Sequence, residues 1–385
     1  MANSLSNVLP QLLAQGLVAL RERAIMPRLV NTGYSPAPGE KGSTVDVPIP
    51  SAITANDVVA AGTPQTATDV SPTRVQIVMS QWKEAAFTLS DKEREEVMDG
   101  TIPMQATEAI KSLANVVDQY ILGQYTGIYG YGGAGGTTPF ATTLGAYVDA
   151  RKELNRNLAD PDPRFCVIDE DADANAILLG NLIQAEQRGD QETIKNGRIG
   201  HILGADWHLD QNVPTHTAGT ITNGAGTRIG LITTALAVAA TTMAIDNTTL
   251  TGTLVEGDVF VFAGHSGTYA VTNTSAVTAS GNVMTGITFT PGARAIVADN
   301  EAVTVQPTHV VNLLFHRDCF ALATRPLLDN DAAELGSLVM ADVDPVSGLT
   351  LRLEINRQHK QTRFAYDILY GANIVRAEFG SRILG

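Results

Sequence analysis

Residues 101–127 read TIPMQATEAIKSLANVVDQYILGQYTG, and the way this stretch folds decides how the rest of the chain is arranged. Thr101 suits an N-cap, and Pro103 falls in the first turn, where a missing N–H costs nothing. Ala106, Ile110, Leu113, Val117 and Ile121 recur three or four residues apart and form one apolar stripe on a helix. Lys111, Asp118 and Gln119 fall off that stripe, and Gly127 offers a stop. Such a helix runs roughly 35 Å, far beyond the average of about 11 residues. It is expected to be a spine for shorter elements.

Toward the N-terminus, an amphipathic helix is expected over 3–30. Leu9, Leu12, Leu13, Leu17, Leu20 and Ile25 make its apolar side, Arg21, Glu22, Arg23 and Arg28 cluster late, and Pro27 ends or kinks it. It either packs on its own domain or reaches a neighbour as an arm (1–34). Residues 35–82 turn Pro/Gly-rich, with alternating strands at 44–49 and 74–82 around a small, polar, aromatic-free segment. This reads as a protruding hairpin with too little apolar mass for a core of its own, so a neighbouring surface should support it. A strand and a short charged helix follow in 83–100, where Ser90 and Glu93 fit the capping-box spacing.

Beyond the spine, Gly130-Tyr131-Gly132-Gly133-Ala134-Gly135 formally matches G-x-G-x-x-G. A dinucleotide site needs a strand before it and a helix opening at the third glycine. Here a helix precedes and Thr-Thr-Pro follows, so a flexible turn is expected. Residues 141–216 look α/β: a helix at 144–157 with Leu144, Val148 and Leu154 inward, a buried strand at 164–168, and a helix at 171–187 with Ile177, Leu178, Leu182 and Ile183 apolar. Charge then thins over 217–307, and short strands at 227–233, 241–246, 258–263, 268–273, 283–290 and 302–306 alternate with turn signals. Six strands at that spacing read as a small all-β barrel or sandwich, inserted between segments of richer composition. Residues 308–385 return to core-like strands. Leu349, Leu351, Leu353 and Ile355 alternate with polar residues, Phe364, Tyr366, Ile368 and Tyr370 share a face, and Gly371 is expected to break or bulge the strand.

The 385 residues carry a net charge of −14, which argues against a dedicated nucleic-acid binder and a polybasic membrane anchor. Neither a signal peptide nor a membrane span is expected. Cys166 and Cys319 point to two reduced, buried thiols rather than a disulfide. No nucleophile elbow, Walker loop or Cys-x-x-Cys is present, so no catalytic residue, cofactor or metal site is assigned and the protein is not expected to be an enzyme. His201, His208 and Asp210 invite a metal reading, but their spacing matches no known ligand pattern. Asp160, Asp162, Asp169, Glu170, Asp171 and Asp173 form the densest carboxylate cluster, which turns and helix starts explain without calcium. His265 reads as a solvated turn residue.

Several stretches resemble the major capsid proteins of tailed phages, in the branch of podovirus coat proteins with an inserted β-barrel. They are Glu153-Leu154-Asn155-Arg156-Asn157, Asn212-Val213-Pro214 before a Thr/Gly-rich insert, Gly257 to Gly264 (GDVFVFAG), Phe315 to Leu327 (FHRDCFALATRPL) and Tyr370-Gly371-Ala372-Asn373. The resemblance implies an α+β, Hong Kong 97-type capsid fold. Its parts would be an N-terminal arm (1–34), an extended hairpin (35–82), a peripheral domain with the spine (83–140), an axial domain (141–216), the inserted barrel (217–307) and return strands (308–385). It implies self-assembly into an icosahedral shell around double-stranded DNA, with a scaffolding protein and a portal as partners and assembly in the host cytoplasm; the acidic charge is expected to leave only weak DNA contact, and no membrane contact is expected. Lys41 lies on the hairpin, but the sequence identifies no partner asparagine or catalytic glutamate for a cross-link. The rival class is a β-rich surface adhesin with 217–307 as its ligand module.

Overall fold

A computed structural model describes residues 24–34, 44–50, 72–92, 101–183, 196–325, 337–344 and 348–385, with Ile53, Ala55, Gly62 and Leu327 as isolated positions. The expectations for residues 1–23, for Lys41 and for Glu93 lie outside them. The described residues divide into two compact units: those within 31–113 and 320–375 form one, and those within 24–30, 114–319 and 376–385 the other. No helix among the described residues is long and apolar enough to cross a membrane.

The long helix runs Thr101–Gly123 and tightens into a 3-10 turn over Gln124–Gly127. Its stripe is as expected: Ala106, Ile110, Leu113, Val117 and Ile121 are all buried. Asp118 is the exception to the sequence reading, because it too is fully buried. Its two carboxylate oxygens accept the backbone N–H groups of Ile25 and Met26, each at 3.2 Å, so the acid serves as a cap for another segment. That segment is the four-residue helix Met26–Leu29, in which Pro27 lies in the opening turn; proline starts this helix rather than ending it.

In the first unit the fourteen-residue strand Gln361–Ile374 is the axis of an antiparallel sheet. Gln81–Ser90 pairs along one side, while Thr350–Gln358 and Phe320–Thr324 share the other, and Ser337–Val343 extends the sheet. Period-two alternation puts Phe364, Tyr366, Ile368 and Tyr370 inside together with Leu351, Leu353 and Ile355. Asp367 lies directly opposite Arg352, whose Nε donates to Oδ1 at 2.8 Å, and Trp82 Nε1 donates to the other oxygen at 3.1 Å. Gly371 does not interrupt the strand. A Cβ there would overlap the Val78 carbonyl oxygen, so glycine marks a close backbone approach. Thr44–Ile49 and Thr73–Val78 pair as a ribbon whose base, Val47 and Ile77, packs with Ala321 and Ala323. The base of the described part of the hairpin thus packs within its own unit.

The second unit holds a mixed sheet in the order Gly130–Gly132, Gly380–Leu384, His309–His316, Arg164–Ile168, Ala205–Leu209, Gly200–Ile202. Gly130–Gly132 is a buried strand parallel to Gly380–Leu384, not a flexible turn. The helix Gly145–Arg156 lies so close that a Cβ on Gly132 would overlap Ala146 O and Ala150 N. That helix buries Tyr147, Ala150, Glu153 and Leu154, leaving Val148 53% exposed, so the inward face is rotated from the one expected. The next helix covers Glu170–Leu178, and Leu178 is exposed. Six strands close into a barrel: Ile229–Ile232, Thr242–Asp246, Val259–Phe262, Tyr269–Val271, Val283–Thr290 and Ala302–Val305. Phe260, Phe262, Tyr269 and Phe289 fill it with ring centroids 4.8 to 5.9 Å apart. Burying each such ring stabilises by about 2–3 kcal/mol, which lets so small a barrel hold together.

Candidate functional site

The chain enters the barrel through Thr215–His216 and leaves through His309–His316, and these two strands pair with each other, His216 opposite His309. Tyr125, Asp258 and Arg382 converge around this double crossing.

Gly257, at φ +86°, makes the turn that brings Asp258 beneath the crossing. Asp258 is fully buried and accepts from Val255 N at 2.8 Å, Gly219 N at 3.1 Å and His216 Nε2 at 3.0 Å. His216 Nδ1 lies 3.0 Å from the Tyr125 hydroxyl. With a carboxylate on one side, the neutral ring carries its proton on Nε2 and accepts from tyrosine at Nδ1. Tyr125 belongs to the turn that ends the long helix. Burial raises its phenol above the ordinary value, against the pull of Arg382. Arg382, in the last strand, is fully buried and lies 5.1 Å over the Tyr125 ring. It donates to Gly257 O at 2.7 Å and Thr126 O at 3.2 Å. Burial lowers it to about 10, with Tyr125 and Asp258 opposing, so it remains a cation at neutral pH. His309 Nδ1 donates to Pro307 O at 2.7 Å, while its buried Nε2 has no hydrogen-bond partner among the described residues.

A second cluster ties the helix Gly145–Arg156 to the barrel. Arg156 bonds both Glu153 and the carbonyl of Ser266, and Arg294 reaches Glu153 at 3.8 Å and the Asn157 side-chain oxygen at 2.8 Å. Asn157 also donates to Glu378 O at 3.1 Å, and Asn155 Oδ1 accepts from Arg164 at 2.9 Å. Burial raises Glu153, and the two arginines counter it. Four of the five residues in Glu153-Leu154-Asn155-Arg156-Asn157 are therefore polar clamps, and the fifth, Leu154, is core. Between the clusters Tyr129, Tyr131, Val259, Ala270 and Leu384 form an apolar patch. This arrangement fixes one module to another; Tyr125, His216 and Asp258 have the order of a proton relay, in which His216 and Asp258 are buried and Tyr125 is half-buried.

The remaining candidates stay apart. His201 is exposed and paired with Asp206 at 2.7 Å, while His208 faces Phe165 and Asp210 bonds Asn212 N. Among the described residues no group of three or more potential ligands could hold a metal ion. Asp169 stands at a helix N-cap without a side-chain cap bond, and Glu170, Asp171 and Asp173 fill the first turn. Cys166 and Cys319 are free and buried. His265 is not simply solvated, since it lies 3.0 Å from Glu301. The junction residues His216, His309, Tyr125 and Arg382 were not singled out from sequence. Their signal is the Thr-His pair at each edge of the low-charge segment (215–216 and 308–309) and an arginine inside the apolar run at 381–384.

No protein-family model matches the chain, and no curated protein matches it by sequence. Solved structures do match it. A chain in the structure of Mycobacterium phage Che8 aligns over 93% of this chain and 90% of its own, at 16% identity and a TM-score of 0.52. The capsid of Cyanophage P-SCSP1u aligns over 94% and 88% at 11% identity (TM-score 0.49), and that of Ralstonia phage GP4 over 92% and 86% at 9% identity (TM-score 0.43). The Che8 likeness shows a shared fold along nearly the whole chain, in agreement with the phage resemblance read from sequence.

Proposed function

We propose that this chain is the major capsid subunit of a tailed phage, of Hong Kong 97 type with an inserted barrel, assembling into an icosahedral shell around double-stranded DNA. The observation that carries this reading is the fold shared with the Che8 phage chain over 93% of the length. The quoted sequence stretches support it independently, because they occur in the expected order along the chain. In this reading 1–34 is an arm, the tip of the 35–82 hairpin overlies the next subunit, and the long helix stiffens a peripheral wedge. The barrel at 217–307, clamped at Asp258 and Arg156, braces the axial part. The role is structural rather than catalytic. An acidic chain meets neighbours through shape and apolar contact and touches DNA weakly, without sequence preference. A scaffolding protein and a portal are its proposed partners, the virion its location and the host cytoplasm its place of assembly.

Electron microscopy and sedimentation of the protein co-expressed with its phage's scaffolding protein test the reading. Closed icosahedral particles are expected. A chain that stays monomeric at every concentration, with the scaffold present, overturns it.

A further inference from the structure

Both strands that connect the barrel to its host sheet carry a histidine, and the two are directly opposite, with ring centroids 5.2 Å apart. They are 3% and 2% exposed, so water screens neither. We propose that this cross-strand pair, His216 and His309, is an acid-sensitive latch whose protonation loosens the barrel from the host sheet.

The charge count at the junction carries the argument. Tyr125 and Asp258 face His216; Arg382 and Asp258 lie near His309; Glu256 and Arg228 stand behind Tyr125 and Asp258 respectively. A proton added to His216 sits on Nδ1, toward the Tyr125 hydroxyl, and the resulting cation still faces the Asp258 carboxylate through Nε2. One added to His309 must sit on Nε2, which finds no acceptor among the described residues, beside a second imidazole and the buried Arg382 guanidinium. Two histidines thus share one carboxylate in a buried space that already holds a fixed cation. Like charges directly opposite on paired strands repel, and desolvation amplifies the cost. Burial lowers the His309 imidazole to about 4, in keeping with this geometry.

The sign is definite. The folded junction prefers neutral His309, so its stability is full above the ordinary imidazole value of 6.5 and falls as pH drops toward 4. Between pH 7 and pH 4.5 the opened junction gains roughly fifty-fold in population.

Hydrogen exchange of the whole chain, corrected for the intrinsic pH dependence of the chemistry, tests this. The reporters are the amides of Ala218, Gly219 and Val311, which bond across the junction to Thr308, Asp258 and Pro214. Their protection is expected to fall more than tenfold from pH 7 to 4.5, while strand 283–290 inside the barrel keeps its own. In His309→Gln the fall is expected to shrink to less than threefold. Unchanged protection at pH 4.5, or the same loss in His309→Gln, overturns the proposal. Should that variant fail to fold, NMR titration of histidine-labelled wild type decides. His309 must take up its proton in the interval where protection is lost, and uptake near pH 6.5 with protection intact overturns the latch.

Discussion

Replacing Gly132 by alanine isolates the close fit between the first strand of the host sheet and the helix Gly145–Arg156. The added methyl would overlap Ala146 O and Ala150 N and reach Ala150 Cα at 3.1 Å, and all three obstacles are backbone. No rotamer change relieves that, so the helix must retreat by about 1 Å to restore ordinary contact distances. It would take Tyr147, Ala150 and Leu154 with it, all three at most 1% exposed. Overpacking of this kind costs about 3 kcal/mol. Gly123→Ala is the matched control. It makes the same chemical change at the end of the long helix, where a Cβ meets nothing within 4 Å, and should stabilise by about 0.5–1 kcal/mol. Trp207 reports directly, because its ring stacks on Tyr147 at 5.0 Å; Trp82→Phe removes the only other tryptophan. In urea followed by Trp207 fluorescence, Gly132→Ala should lower the midpoint by about 1 M and Gly123→Ala raise it slightly. Equal midpoints for Gly132→Ala and its parent, or a shift in the direction of Gly123→Ala, would refute the packing argument.

Three further outcomes are expected. Arg382→Met strands the Gly257 and Thr126 carbonyls inside the protein and should cost about 3–5 kcal/mol in denaturant melts, with Arg382→Lys restoring only part because one ammonium replaces a two-armed fork. Burial, with the Asp210 charge adding to it, raises the Asp118 carboxyl to about 8. The folded state therefore holds that proton more tightly than the unfolded chain, and stability should decline as pH rises from about 4 through 8. Asp118→Asn should flatten that slope and be the more stable form at pH 9, by an amount on the order of a few kcal/mol; a parallel slope in both proteins counts against it. Burial pushes both the Cys166 and Cys319 thiols up, so a thiol reagent at pH 8 should label neither in the native protein and both in denaturant.

What could be read in advance follows from how local each signal is. The stripe from Ala106 to Ile121, the six strands between 229 and 305, and the alternation Leu349 to Ile355 depend on periodicity and turn residues, and all appear where expected. Asp118 could not be placed that way, since its burial depends on Ile25 and Met26, some ninety residues distant. The same holds for Gly132 and Gly371, whose need for hydrogen in place of a side chain is set by elements remote in sequence. Pro27, expected to end or kink a helix, lies in the opening turn of Met26–Leu29, since proline is as much at home at a helix start as at its end. The junction escaped notice because histidine, aspartate, tyrosine and arginine sit in segments far apart, and only the closing of the sheet assembles them.

Strand Gly380–Leu384 lies between Gly130–Gly132 and His309–His316, buried at every position. During synthesis, residues 130–132 and 309–316 are made well before residues 380–384, which alone fill that gap. The barrel, by contrast, draws its strands from fewer than eighty consecutive residues and can close earlier. Until residues 380–384 arrive, the edges of both flanking strands stand open to any other extended chain, and Arg382 cannot bind the turn at Gly257. Nascent copies on one message are thus exposed to cross-pairing at this gap, and a chaperone acting before residues 380–384 emerge would matter most there.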